Sequence, residues 1–474
     1  MCHVNALDTL TLDLFSRSAA TLLGLFLFIV TTVSLLRTVV VPRALSSVLS
    51  NAVSHSVTRV HRFIAYRRKT YEGRDAVLAW NGPMIIVSQL LMWLLMYFLA
   101  YGLWIYGIAG MGLSEAMRQS GSSLFTLGFA DSNAAEPTIL EFMAAATGPI
   151  VIALLIGFLP TIYSAYVDRE VDVSLLGVTG GEPSWGPEFL ARMTLNDQLQ
   201  EAPNRYSNWT QWLGNLRLTH TTYPVLLSIR SATPYRHWLV SAMTVMDAAS
   251  LQLALTKTLP RSEAAELVIH GTQTFETLYA SMFVKRSLKN RIPFVGKYLG
   301  APTPSQREME KMPGYRPGTI AVEMAATADS TRRYSQDAIN LIRTGQSHDL
   351  QLGRKDFDDA VAMLKAAGFP IEEDLNTAWT QFAISRKRYE FAAYELCRKL
   401  DAVPAPWTGP RNKQTVVISP SSAVEILQHE VDKDTSPAPT AQDPTSHTPT
   451  PPDSTSHTPT PPDSTSRATS PDGS

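Results

Sequence analysis

Cysteine is nearly missing from this chain of 474 residues: Cys2 and Cys397 are the two it has, and they stand at opposite ends. Neither belongs to a spaced cluster of metal ligands, so neither a disulfide framework nor a cysteine-based zinc site is supported. Charge is scarce as well, at 18% of residues, and the shortage is local. Residues 18–36, 82–109 and 142–166 contain no Asp, Glu, Lys, Arg or His. The glycine cluster Gly177-Val178-Thr179-Gly180-Gly181-Glu182-Pro183 lacks the lysine of a nucleotide-binding loop and carries a proline where a helix would begin. A phosphate cradle is thereby set aside in favour of a linker. His220, His237, Asp247 and His270 are not spaced as a metal or nucleophile set, and the chain is not read as an enzyme.

What is present is three apolar runs of membrane length, since about 20 apolar helical residues cross the roughly 30 Å of a hydrocarbon core. The first, within residues 1–40, follows Asp8 and Asp13 rather than a basic cluster and lacks a small-residue cleavage site. It is expected to stay as a helix and not to leave as a signal peptide. Residues 41–78 then carry Arg43, Arg59, Arg62, Arg67, Arg68, Lys69 and Arg74 against Glu72 and Asp75. So basic a short loop belongs on the cytoplasmic side, beside anionic lipid headgroups; pinned next to the membrane, it is not read as a nucleic-acid surface. Between the second and third runs the charges are Glu115, Arg118, Asp131, Glu136 and Glu141, a net acidic set that suits the opposite side. The expected fold class is an all-α membrane protein, multi-pass in the cell membrane, with its N-terminus outside and its C-terminal half cytoplasmic.

Between those two runs lies Ser123-Leu124-Phe125-Thr126-Leu127-Gly128-Phe129-Ala130-Asp131, after a short helical stretch beginning near Leu113. A re-entrant helix followed by extended backbone is tolerated at membrane depth only where protein buries it or where it lines a watery cavity. The order of outer helix (82–109), pore helix and loop (113–131) and inner helix (139–167) resembles the pore domain of the potassium-channel superfamily, whose filter reads Thr-Val-Gly-Tyr-Gly-Asp. Thr126 stands at the filter threonine, Leu127 at the valine, Gly128 at the first glycine, Phe129 at the tyrosine and Asp131 at the closing aspartate. Ser123 falls where the pore helix usually has threonine, and Ala130 replaces the second glycine. The resemblance is confined to residues 79–167.

The resemblance implies a homotetramer in which potassium ions are held by the backbone oxygens of Thr126, Leu127, Gly128 and Phe129, because stacked carbonyl rings require identical loops around one axis. It places Asp131 at the outer mouth and makes Ser123 a support for the loop. If the loop demands left-handed backbone at Ala130, the Cβ there costs about 1 kcal/mol or more in each subunit, and a weakened potassium preference follows. Gly148-Pro149 and Gly157-Pro160 read as gate hinges of the inner helix. The first apolar run has none of the regularly spaced arginines of a voltage sensor.

Residues 168–404 read as a mostly helical cytoplasmic domain that couples an unknown regulator to those hinges. It opens on an acidic collar, Asp168, Glu170 and Asp172, and a linker over 168–208 that includes a short helix from about Pro187. Helical patterns follow over 237–258, 261–288, 319–344 and 355–400, the last broken at Phe369-Pro370. Residues 405–474 read as a disordered tail in which a Pro/Ser/Thr-rich decamer recurs from Asp443 and Asp453 and, in degenerate form, from Asp463. The expected partners are other copies of the chain and membrane lipids, with no cofactor beyond potassium in the pore. The alternative reading is a non-conducting membrane scaffold or accessory protein built on a channel-like pore domain.

Overall fold

The computed structural model describes residues 2–41, 47–130, 135–283, 350–413 and 415–420, and the secondary structure of the described residues is helical throughout. The pattern at 319–344, the decamer repeats and Asp131 lie outside them. Helix α1 spans Cys2–Leu35 and closes with a π-turn over Leu36–Val40; α2 (Val48–Ala65), α3 (Tyr71–Ala79) and α4 (Asn81–Ala109) follow. Helix α5 (Leu113–Leu124) is short, whereas α6 (Ala135–Gly180) runs for 46 residues. The remaining helices are α7 (Gly186–Leu195), α8 (Ala202–Thr222), α9 (Trp238–Leu255), α10 (Ser262–Phe283), α11 (Arg354–Ala366), α12 (Leu375–Lys387) and α13 (Glu390–Leu400).

Among the described residues four stretches are long and apolar enough to cross a membrane: Thr11–Val40, Tyr71–Ala109, Pro137–Gly180 and Trp238–Leu255. Protein covers 22%, 39% and 17% of the first three but 94% of the fourth. Helix α9 is thus a core helix, apolar on every side because α7, α10 and α12 pack around it. The other three leave their apolar surface open, as helices meant for lipid or for further copies do.

Helix α1 lies along α4 because both are notched. A Cβ on Gly24 would come within 2.7 Å of the Ala100 carbonyl, and one on Gly107 within 1.9 Å of Thr21 Oγ1, so backbones approach where side chains end. Phe28 sits among Tyr97, Tyr101 and Trp104, its ring 5.7 Å from each tyrosine. Thr32 and Tyr97 hydroxyls meet at 2.9 Å, and Trp93 Nε1 donates to Ser34 Oγ at 3.1 Å. These hydroxyl and indole groups of the apolar bundle are therefore paired with one another.

Several boundaries differ from those read in the sequence. The basic loop at 41–78 contains α2 and α3, capped by Ser47 and Thr70. Helix α2 exposes Val48, Val60, Phe63 and Ile64 beside its arginines, the two-faced make-up of a helix that lies along a membrane surface. The linker expected from 168 is helix as far as Gly180, so α6 passes from the apolar bundle into the helical domain without a break. Gly177 is there for close approach: a Cβ would stand 3.0 Å from both Arg236 Nε and Glu182 Oε1, which form an ion pair beside it. The tail begins later than 405. Ala405 is buried, Trp407 packs against Phe382 and Trp185, and Ile418 N donates to Pro404 O at 2.8 Å.

Buried charge holds the helical domain together. Arg386, with no exposed surface, pairs with Asp247 on α9 and with Glu390 at 3.3 Å, and donates to Tyr394 at 3.1 Å and to the Trp407 carbonyl. Tyr389 donates to the same Asp247 at 2.6 Å. A second network ties the start of the membrane bundle to this domain. Arg74 meets Asp401 at 3.1 Å, and Arg230 holds Asp75 while donating to the Tyr71 hydroxyl and to the carbonyls of Leu400 and Asp401.

Candidate functional site

Helix α4 ends at Gly110, whose φ of +68° turns the chain back on itself. The 12 residues of α5 then cover about 18 Å at 1.5 Å per residue, too short to cross a membrane. They are wedged between α4 and α6. Ser120 donates to the Phe98 carbonyl at 2.8 Å, Gln119 donates to Glu141, and Tyr101 and Thr147 hydroxyls meet at 2.8 Å. Two glycines make the fit possible. A Cβ on Gly102 would stand 2.3 Å from Met117 Sδ, and one on Gly148 would stand 2.0 Å from the carbonyl oxygen of Leu124, the last residue of α5.

From that end the 125–130 loop doubles back onto the helix. The N–H groups of Phe125, Thr126 and Leu127 donate to the carbonyls of Gly121, Ser123 and Ser122 at 3.1, 3.0 and 2.8 Å. The return is tied by Ala130 N–H, which donates to Ser122 Oγ at 3.0 Å. Ser122, 1% exposed, therefore holds the loop at its middle, Leu127, through its carbonyl and at its far end, Ala130, through its hydroxyl. Ser123, the support expected from the sequence, supplies only its carbonyl to the loop.

Backbone strain falls at a different residue from the one expected. Thr126 has φ of +54° and Gly128 +71°, while Ala130 is not among the positive-φ residues. The left-handed conformation costs glycine nothing but a β-branched residue about 1–3 kcal/mol. The premise that Ala130 carries the strain thus fails, and Thr126 carries it, its hydroxyl turned to the Phe125 carbonyl at 2.7 Å. Within one copy the loop is bare: Phe125, Leu127 and Phe129 are 46%, 62% and 57% exposed. Phe129 has the Arg118 guanidinium 5.6 Å above its ring, and Arg118 reaches Glu115 at 3.6 Å.

Of the four residues read as hinges, Pro149 and Pro160 lie inside unbroken α6, Gly148 is pressed against the end of α5, and Gly157 has open space where a Cβ would be. Below them, the acidic collar is only partly solvated. Asp168 is exposed, but Glu170 pairs with Arg169, itself 3% exposed, at 2.7 Å and accepts from Ser231. Arg169 also donates to the carbonyls of Leu226 and Ile229 and to His220 Nε2 at 3.1 Å. Burial and the Arg169 charge hold His220 well below its ordinary value, so a neutral ring accepts that bond. Burial and the nearby Arg230 and Arg169 charges do the same for His237, whose Nδ1 caps α9 by accepting from Leu239 N–H at 3.2 Å.

Asp247 is committed to Arg386 and Tyr389, and His270 stands on α10 beside Glu266 at 3.7 Å. Among the described residues no three His, Cys, Asp or Glu side chains gather as metal ligands would. Compared with family models, with curated proteins and with solved structures, the chain matches none of them.

Proposed function

We propose that the chain is one subunit of a homotetrameric cation channel, with α4, α5 and α6 of each copy supplying a quarter of the pore and Thr126, Leu127, Gly128 and Phe129 supplying oxygens to potassium. The observation that carries this reading is the 125–130 loop. It is tied to Ser122 through Leu127 and Ala130, between two long apolar helices, and leaves Phe125, Leu127 and Phe129 uncovered. Loop backbone at membrane depth needs protein around it, and copies related by a symmetry axis provide that while directing their carbonyls to a shared path. The positive charge of α2 supports a cytoplasmic position for it and for the helical domain. Because α6 continues into that domain and Arg169 anchors it there, movement of the domain reaches the pore without passing through a flexible joint.

The full chain reconstituted in liposomes tests the proposal. Potassium flux and a tetrameric mass are expected, with flux lost in Gly128→Val, a position where the added Cβ meets nothing but the φ of +71° strains a branched side chain by about 1–3 kcal/mol. A monomer would overturn the reading. A tetramer without flux would favour a membrane scaffold, to which one observation also points: the Thr126 hydroxyl is engaged with its own backbone.

A further inference from the structure

Helix α6 is longer than a bilayer requires. Its 46 residues reach about 69 Å, more than twice the roughly 30 Å of a hydrocarbon core. The uncharged run within it ends at Tyr166, and Asp168, Arg169, Glu170 and Asp172 follow. With the run 142–166 in lipid, the turns from Asp168 to Gly180 stand in water. Those turns have two unlike faces. One is taken up by the helical domain: Arg169, Val173, Leu176 and Gly180 are buried, Val173 and Leu176 in the domain's core. The other, beginning just before Asp168, carries Val167, Val171, Leu175 and Val178, which are 38%, 51%, 62% and 72% exposed. A single exposed aliphatic side chain is ordinary, but four in a row along the bare face of one helix mark a contact.

Their spacing indicates the kind of contact. Val167, Val171, Leu175 and Val178 advance by 4, 4 and 3 residues, and Ile156, Pro160 and Ser164, also exposed, lead up to Val167 by the same steps. Such an 11-residue repeat has about 3.67 residues per turn, close to the roughly 3.6 of an unstrained helix. The stripe therefore stays aimed at a straight neighbour with only a slight right-handed wrap. Copies inserted in one membrane in the same direction bring these four side chains to the same height, so the face meets its own counterpart in register. A different protein would have to repeat this spacing at this depth. At helical spacing Asp168 and Asp172 fall to one side of the stripe, at the wet edge of such a contact.

We propose that α6 of one copy packs in parallel against α6 of another along Val167, Val171, Leu175 and Val178, as a nearly straight coil outside the membrane. Four side chains per copy make a modest contact, but copies already held in one membrane and one orientation have less freedom to lose on meeting. The coil rests on the proposed reading only in setting copies side by side in one membrane, and it stands whether or not the loop conducts.

The test uses the full chain in liposomes with Cys2→Ser, Cys397 being buried and left in place. A disulfide needs Cα atoms within about 7 Å, so under mild oxidation Val171→Cys and Val178→Cys should cross-link copies about tenfold faster than a chance collision does. Leu218→Cys, 65% exposed on α8, reports that chance rate. Val171→Glu/Leu175→Glu places charge on the stripe and should weaken association about 100-fold, read as energy transfer between labelled copies diluted in lipid. An unchanged unfolding midpoint in detergent shows that this variant keeps its fold. Stripe thiols that cross-link no faster than Leu218→Cys leave the face to lipid or to a different protein and overturn the coil, as does a glutamate variant that associates like the native chain. A conducting tetramer without stripe cross-links overturns the coil alone. A cross-linked assembly without flux overturns the channel and leaves the coil.

Discussion

Helices α6 and α9 are both apolar enough to cross a membrane, yet protein covers 17% of one and 94% of the other. The difference lies in what surrounds them and how their polar groups are managed. Around α9 the domain has committed ionised groups to the interior: Arg386 with Asp247 and Glu390, Tyr389 with Asp247. Around α6 the bundle uses uncharged contacts, Tyr101 with Thr147 and Ser122 with the returning loop, with Gln119 and Glu141 as its one acidic pair among these. Buried ion pairs fix geometry at a cost in desolvation and fail badly when one partner is removed. Hydroxyl and amide contacts are cheaper to break and leave more room for rearrangement.

The sharpest way to break that comparison is at Arg386. Arg386→Met strands Asp247 and Glu390 without their cation, and a loss of about 3–5 kcal/mol is expected in denaturant unfolding followed by tryptophan fluorescence. A comparable stability to the native chain would mean that the network is dispensable. Next comes pH. His220 and His237 have folded values well below the ordinary 6.5, so the unfolded chain binds protons that the folded chain refuses. Their contribution is complete above pH 6.5 and falls away below it, by about 1.4 kcal/mol per pH unit for each histidine. Unfolding midpoints from pH 7.5 to 5.5 check this, and His220→Gln, which keeps an acceptor for Arg169, should roughly halve the slope. A smaller effect belongs to Gly148→Ala. The new Cβ would strike the Leu124 carbonyl and should cost about 1–3 kcal/mol in the bundle, read as loss of assembled protein after extraction, while Gly157→Ala, with open space, should not.

Much of this was open to reading in the sequence because absence of charge is a coarse signal. The second apolar run, the short helix near Leu113 and the helix near Pro187 all lie where uncharged length and helical spacing put them. Helix α2 was hidden by its own arginines: Val53, Val57, Val60 and Ile64 recur at helical spacing, but the charge between them reads first as a loop. Gly177 and Gly180 looked like a linker, and the distant partner beside the first, Arg236 in its pair with Glu182, is not visible from the local sequence. At the candidate site the residue types were legible and the backbone was not. Two adjacent serines are equivalent in a sequence, and only the fold of the loop separates Ser122, whose hydroxyl ties it, from Ser123, whose hydroxyl does not.

The smallest and most discriminating effect lies in that loop, where the sequence put the strain at Ala130 and the backbone puts it at Thr126. Ala130→Gly relieves nothing, so stability and any potassium-over-sodium preference should stay within measurement error of the native chain. Thr126→Gly removes a β-branched side chain from φ of +54° and should stabilise the chain by about 1 kcal/mol, the low end of what such a conformation stores. It also removes the hydroxyl that binds the Phe125 carbonyl, which offsets part of the gain. Ser122→Ala deletes the acceptor for Ala130 N–H and should cost about 1 kcal/mol, loosening the return of the loop, whereas Ser123→Ala should be silent because Ser123 holds the loop through its backbone. Paired measurements of thermal midpoint and of potassium and sodium flux separate the cases. If Ala130→Gly sharpened selectivity while Thr126→Gly left the midpoint unmoved, the strain would belong at Ala130 after all, and the assembled loop would have to differ from the one a single copy adopts.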